Sequence, residues 1–355
     1  MSRFTVTCNT HVPRKPFVLS LMSSSFFVAR DGGASHRPRR GGCVPHLKML
    51  ICLLHLAAGL SAAADYGREK DELGTRNYFI SSALTSLGMS SFRNGHVPAI
   101  LKTPLASRFR HLPILDIGSN AGLDLTIPAA RLGHTVYAFE PTSSTFEKLL
   151  YNLRKQSVSF SKSGLFEMQH HMQLRNKTSR KASGHVAAFN VAVSNHSGTA
   201  LFMEDTRGGG ISNSLGGRKA LPPRTKAVQT TVHLLTLDDV LEFYDEQGIF
   251  LLKIDSQGHE YHVLQGALRF IKTHPVYVLL LEFYPKGLLA AGINPLDLLY
   301  MLHRELQYQC FDIGPGAHPT ALSLEGFVAA HPPNQRGTWG YGKWTDIICL
   351  NFRLI

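Results

Sequence analysis

From about Ile114 the chain alternates short apolar runs with amphipathic segments. Pro113-Ile-Leu-Asp-Ile-Gly118 and His134-Thr-Val-Tyr-Ala-Phe139 read as buried strands, with a helix over Leu123–Leu132 between them. Pro128 must lie in the first turns of that helix or kink it. Phe146, Leu149, Leu150 and Leu153 share one face of a second helix over Phe146–Arg154. Val186–Val193, Ile249–Ile254 and Val276–Phe283 read as the third, fourth and fifth strands, and a helix runs from about His259 to Ile271. A helix over Leu296–Leu306 and strands over Tyr308–Ile313 and Asp346–Phe352 complete the pattern. Strands alternating with helices predict an α/β fold around a mostly parallel sheet, with a late antiparallel strand at its edge.

The segment before this pattern is different. Residues 1–48 show no apolar period and are rich in Ser, Arg, Gly and Pro, so they read as a disordered basic leader. Met49-Leu-Ile-Cys-Leu-Leu-His-Leu-Ala-Ala-Gly-Leu60 then forms an apolar core, followed by an A-x-A pattern at Ala62 and Ala64. Residues 49–64 are expected to act as a signal peptide. If Arg37–Lys48 stays cytosolic they act instead as a signal-anchor, which would associate the chain with a membrane. Either way the expected destination is the secretory pathway. Translation from Met22 or Met49 would shorten the leader. An Arg- and Ser-rich, acid-poor leader also fits a transit peptide for a plastid or mitochondrion. Residues 65–111 read as a helical or irregular lead-in, and residues 112–355 as the main domain.

Composition narrows the function. The 355 residues are 44% hydrophobic and 17% charged, a globular balance. The net +12 splits into +7 within residues 1–64 and +5 across residues 65–355. A core that mildly basic argues against a broad nucleic-acid face. Cys8, Cys43, Cys52, Cys310 and Cys349 contain no C-x-x-C pair, which excludes a zinc ribbon, a thioredoxin-like motif and a disulfide-rich scaffold.

In α/β sheets ligands sit beyond the carboxyl ends of the strands. After the first strand stands Asp116-Ile-Gly-Ser-Asn-Ala-Gly122, and after the second Glu140-Pro141. Gly118 lets the chain turn tightly, and Gly122 lets the helix start close to the strand. A carboxylate such as Glu140, about 20 residues after a Gly-rich turn, suits the hydroxyls of a ribose. The turn lacks the middle glycine of a pyrophosphate fingerprint. Its acid, Asp116, would repel a pyrophosphate but suits the cationic aminoacyl end of S-adenosylmethionine.

Leu115-Asp-Ile-Gly-Ser-Asn-Ala-Gly122, then Val136-Tyr-Ala-Phe-Glu-Pro141 with Asn152 downstream, resembles the FkbM-type S-adenosylmethionine-dependent methyltransferases. Leu234-Leu-Thr-Leu-Asp238, Leu252-Lys-Ile-Asp-Ser-Gln-Gly-His-Glu260, Leu264-Gln-Gly-Ala267, Glu282 and Asp346-Ile-Ile-Cys349 continue the likeness. Gln257 stands where that family usually has glutamate. The resemblance implies a Rossmann-like, doubly wound, mostly parallel seven-stranded sheet, the class I methyltransferase fold. It implies S-adenosyl-L-methionine as cofactor, held by Asp116, Gly118, Ser119, Asn120, Gly122, Glu140 and Pro141. It also implies O-methylation of a glycan or small-metabolite hydroxyl.

Removing the hydroxyl proton requires a base. Asp255 and Glu282 end the fourth and fifth strands, and His259 and Glu260 open the next helix. Asp255 is the first candidate base and His259 the second. For Glu260 a helix-dipole role competes with catalysis, and for His259 a capping or solvent-facing role does. A divalent metal bridging Asp255 and Glu282 rests on two carboxylates alone, so no metal ligands are assigned. Asn213 and Ser214, in the Gly-rich Arg207–Gly217 loop, are candidates to touch the acceptor. Two other functions compete. A nucleic-acid methyltransferase lacks support, because Asp255-Ser-Gln-Gly258 replaces a base-binding N-P-P tetrapeptide. A non-catalytic binding protein that kept the fold is disfavoured by Asp116, Gly118, Glu140 and Asp255 together.

Overall fold

The structure is a computed structural model and describes residues 100–163, 184–205, 215, 226–243, 248–313, 323–334, 343–351 and 354. The leader 1–48, the apolar run 49–64, Asn213 and Ser214 lie outside the described residues.

The main sheet has eight strands: β1 Ile114–Ile117, β2 Thr135–Phe139, β3 Ser159–Ser163, β4 His185–Phe189, β8 Ile249–Ile254, β9 Val276–Phe283, β10 Gln309–Asp312 and β11 Thr345–Leu350. Their spatial order is β10-β11-β9-β8-β1-β2-β4-β3. Every pair from β9 to β3 is parallel, while β11 runs antiparallel to both β9 and β10. This is the expected doubly wound sheet with one strand more than the seven anticipated. The addition is β3, in a polar stretch where no apolar run announced it. The middle strands are continuous apolar runs because helices cover both faces, so alternation has no solvent side to record.

Period 2 divides the strand residues between two cores. Ile114, Val136, Ala138, Leu251, Val278, Leu280 and Ile348 belong to one, together with α1 Pro104–Arg108, α2 Thr126–Arg131 and α3 Ser143–Lys155. Leu115, Ile117, Phe139, Leu252, Ile254 and Leu281 belong to the other, together with α4 Glu260–Gln265, α5 Leu268–Thr273, α6 Pro285–Ala290 and α7 Pro295–Tyr300. The same parity puts Asp116, Glu140, Lys253, Asp255, Glu282 and Asp346 in line with the first face, at or near the carboxyl ends of its strands or, for Asp346, beside Glu282.

Two expected elements are divided. Val186–Val193 splits into β4 and β5 Ala192–Val193, and β5 joins a separate three-stranded sheet, β5-β7-β6, with β6 Gly198–Asp205 and β7 Ala227–Leu235. The helix expected over His259–Ile271 splits into α4 and α5 at Gly266, where a Cβ would lie 2.0 Å from the Ser194 carbonyl oxygen. The stretch before the last strand carries a helix, α8 Leu324–Ala330. β10 and β11 are joined by a disulfide between the register partners Cys310 and Cys349.

The sheet order reverses at β1, whose neighbours are β2 and β8. At this switch point Asp255 N donates to Ile117 O at 3.0 Å, and Gly118 turns with φ +74 directly against Asp255. A Cβ on Gly118 would lie 1.9 Å from the Asp255 carbonyl oxygen. Gly118→Ala is therefore expected to cost about 3 kcal/mol or more, since backbone strain and overpacking each cost about 1–3. Gly292→Ala, with φ +81 and nothing within 4 Å of the added Cβ, should show only the backbone part. Denaturant unfolding of the two variants checks this, and equal losses would refute the close approach.

Candidate active site

The turn after β1 closes onto the end of β2. Gly118 N and Ser119 N both donate to Phe139 O at 3.0 Å. Asn120, left-handed at φ 49, donates its N–H to Glu140 Oε2 at 3.0 Å. Thr142 donates to Glu140 Oε1 through its N–H at 3.1 Å and its hydroxyl at 2.8 Å. Burial raises the Glu140 carboxyl to about 7, against the lowering effect of those donors. Asn152, from α3, donates to Ala121 O at 3.0 Å and pins the turn from outside. Asn190, just past β4, donates to the carbonyls of Glu140 and Pro141 at 2.9 and 3.0 Å. Asn190 was hidden within an apparent apolar strand. The buried hydroxyl of Ser119 meets no hydrogen-bond partner among the described residues.

Asp116 is enclosed by the framework around the turn. It is 1% exposed; its Oδ2 accepts from Thr126 Oγ1 at 2.6 Å, and its Oδ1 lies 3.3 Å from Lys253 Nζ. Parallel register makes Asp116 and Lys253 direct neighbours. Lys253 also pairs with Asp255 Oδ2 at 3.3 Å and donates to Gly118 O at 3.2 Å. Burial alone would lower the Lys253 ammonium, yet Asp116 and Asp255 outweigh it and hold the ammonium above the ordinary lysine value. Both oxygens of Asp116 thus also serve the framework, one through Thr126 and one through Lys253. Sequence reading missed the role of Lys253. The available signal was a lone cation inside the fully buried run Ile249–Ile254.

Asp255, Gln257, Glu260 and Glu282 come together beside this ion pair. Gln257 Nε2 donates to Asp255 Oδ1 at 3.0 Å and to Glu282 Oε2 at 2.9 Å. That amide takes the bridging position left open for a divalent metal. Among the described residues, no group of three or more His, Cys, Asp or Glu is arranged to hold a metal ion. Burial raises Glu282 well above the usual carboxylate range, and the charges of Asp255, Glu260 and Asp346 add to the effect. Asp346, the register partner of Glu282, is raised to about 7, by burial first and then by Asp255.

Glu260 is fully buried; its Oε1 binds its own loop, while its Oε2 is buried and meets no hydrogen-bond partner among the described residues. His259 lies apart from the carboxylates. Its Nε2 is 2.9 Å from Ser194 Oγ, its ring stacks on His262 at 4.4 Å, and burial lowers it to about 3. An imidazole so placed stays neutral and joins α4 to the segment after β5.

Lys253→Met should cost about 3–5 kcal/mol in denaturant unfolding, because it leaves the buried Asp116 without its cation. Adding Asp116→Leu should restore most of the loss. A single variant within about 1 kcal/mol of wild type would show that the pair does not carry this part of the fold.

The chain is similar in structure to the cofactor-bound Rv0187 from MTB, at 13% identity over 88% of this chain and 98% of that one, with a TM-score of 0.33. It is also similar to the O-methyltransferase TomG from Streptomyces achromogenes, solved with SAM, at 12% identity over 83% and 95%, TM-score 0.34. An O-methyltransferase from Bacillus cereus in complex with SAH shows 10% identity over 82% and 96%, TM-score 0.34. A search of the curated proteins found no match. The family described as the methyltransferase FkbM domain matches residues 116–309, which spans both the turn at Asp116 and the carboxylates at Asp255 and Glu282. More than half of the chain is covered by that match, and the chain belongs to the FkbM methyltransferase family.

Proposed function

We propose that the protein transfers the methyl group of S-adenosylmethionine to a hydroxyl oxygen of a glycan or small metabolite in the secretory pathway. One observation carries the reading. A turn closed on the buried Glu140 stands at the switch point of the sheet, beside a carboxylate pair in line with the same face.

The residues fit the cofactor. A carboxylate has about four acceptor sites, and Glu140 uses three of them on Asn120 and Thr142, leaving room for a ribose hydroxyl. The Ser119 hydroxyl is buried and unpartnered, as a group awaiting a ligand would be. Asn120, Gly122 and Pro141 complete that cradle. When bound, S-adenosylmethionine supplies a sulfonium methyl group. The protein must then align the acceptor oxygen, exclude water and take up a proton. Asp255 and Glu282 are placed for the proton, and Lys253 keeps Asp255 aligned.

The acceptor class is read from the polar groups at this end of the sheet. Asp255, Glu260, Glu282 and Asp346 cluster there and offer hydrogen-bond acceptors and, where protonated, donors, which supports a neutral polyol as the acceptor. A nucleic acid would bring phosphates toward those carboxylates. The compartment is supported by the Cys310–Cys349 disulfide, since disulfides persist in oxidising lumens.

Glu140→Ala should weaken S-adenosylmethionine by about 1.5–3 kcal/mol, roughly 10- to 150-fold in calorimetry, the loss of a hydrogen bond to a charged group. Unchanged affinity would remove Glu140 from the cofactor site. For the compartment, the full chain from eukaryotic cells should show Cys310 and Cys349 open to maleimide only after reduction. Two sequons offer an endoglycosidase-sensitive shift as a second readout: Asn176-Lys-Thr178, which lies outside the described residues and is expected to be modified more readily, and Asn195-His-Ser197, whose asparagine is exposed. Free thiols in protein that fractionates with a plastid or mitochondrion would replace the secretory reading.

A further inference from the structure

The loop after β8 is built around a hidden carboxylate. Glu260 Oε1 accepts from Ser256 N at 3.1 Å, Ser256 Oγ at 3.3 Å and Gly258 N at 3.1 Å. These bonds curl the chain so that Gln257 adopts φ 56 and Gly258 φ 95. Gly258 also packs on α6, where a Cβ would lie 2.4 Å from the Gly287 carbonyl carbon. A left-handed glutamine is strained, and such strain persists only where the surroundings over-determine it. Here Glu260 holds the loop from inside and α6 from outside. The outcome is one side-chain amide facing two carboxylates, Asp255 and Glu282. An amide nitrogen carries two hydrogens, one for each carboxylate, so the chemistry sets its orientation.

The two carboxylates are not equivalent. Asp255 is also paired with Lys253, so two donors stabilise its charge. Glu282 faces mostly negative neighbours: Asp255 after β8, Glu260 of α4 and Asp346 of β11. Behind Asp346 stand Asp312 of β10 and His331, 3.5 Å apart, and the Lys253 ammonium acts on Asp346 against the raising effect of burial.

We propose that Gln257 is a positioning residue for proton removal: its amide clamps Asp255 and Glu282 together and leaves Glu282 as the carboxylate that receives the acceptor's proton. This rests on the methyl-transfer reading. The acceptor O–H bond breaks and its proton passes to a Glu282 oxygen. The electron pair left on the acceptor oxygen forms the O–CH3 bond, and the electrons of the broken C–S bond stay on sulfur as a thioether. Glu282 then returns the proton to water. Because burial and its neighbours raise Glu282, it ionises only as pH climbs through that raised midpoint, and transfer should accelerate over the same interval.

The test uses the full chain with 13C-labelled glutamate side chains, titrated by NMR, with Glu282→Gln identifying the resonance. Wild type should show Glu282 well above the ordinary glutamate range. Gln257→Met, which keeps length but loses both donors, should raise that midpoint by about one pH unit, because a hydrogen bond to the charged form is lost. Gln257→Glu should raise it further by like-charge repulsion. Thermal melting on each variant separates a folding defect from this effect, and Gln257→Met decides the matter if the glutamate variant does not fold. A Glu282 midpoint in the ordinary range, or one unmoved in Gln257→Met, overturns the proposal. Calorimetry with S-adenosylmethionine on the wild type tests the methyl-transfer reading separately, since the titration does not depend on cofactor binding.

Discussion

A single buried ammonium ties this site together. Lys253 lies between Asp116 and Asp255 and reaches the carbonyl of Gly118, so it joins two strands, the turn between β1 and α2, and the loop after β8. Asp116 is too deeply buried to stand as a lone charge, and Lys253 is equally costly alone. Each makes the other tolerable.

Around that ion pair several polar residues that look catalytic act as framework. Glu260 spends Oε1 on the backbone and hydroxyl of its own loop, and His259 is held by Ser194 and His262. Asp116 bonds Thr126 at the start of α2. These residues position the backbone of the turn and of the loop after β8. The polar groups left at the switch point form two sets: Glu140 with Asn120 and Thr142 on one side, and Asp255 with Gln257 and Glu282 on the other.

The carboxylates past β8 and β9 depend on one another. Glu282, Glu260 and Asp346 are all raised, with burial the first cause in each and Asp255 adding to it. Such a group holds protons near neutral pH, and its proton affinity belongs to the cluster more than to any member. Gln257 favours the ionised form of Glu282, and the Ser256 and Gly258 N–H groups that of Glu260, while Lys253 pairs with Asp255. A change at Gln257 or Lys253 should be felt by every carboxylate in the group.

The strands were readable because burial on both faces demands near-continuous apolar runs, and β1, β8 and β9 show them at the expected residues, interrupted by Asp116, Lys253 and Glu282. The turn at Gly118, the acid at Glu140, and the placement of Asp255 and Glu282 at strand ends were readable for the same reason: local spacing and a period of two set where a side chain stands along a strand and on which face. What local pattern cannot contain is the partner. Val186–Val193 reads as one strand and divides only because Val193 pairs with Leu235 of another sheet. The helix after Glu260 breaks because the Ser194 carbonyl meets Gly266. His259 turns to Ser194, and Cys310 meets Cys349 across 39 residues, because strand order and register bring distant segments together. Lys253 was an oddity in an apolar run until the parallel register of β1 and β8 set Asp116 beside it. The sequence alone determined the strands, their buried faces and the polar groups at their ends. Tertiary pairing decided which of those polar groups meet, and so which brace the fold and which remain for chemistry.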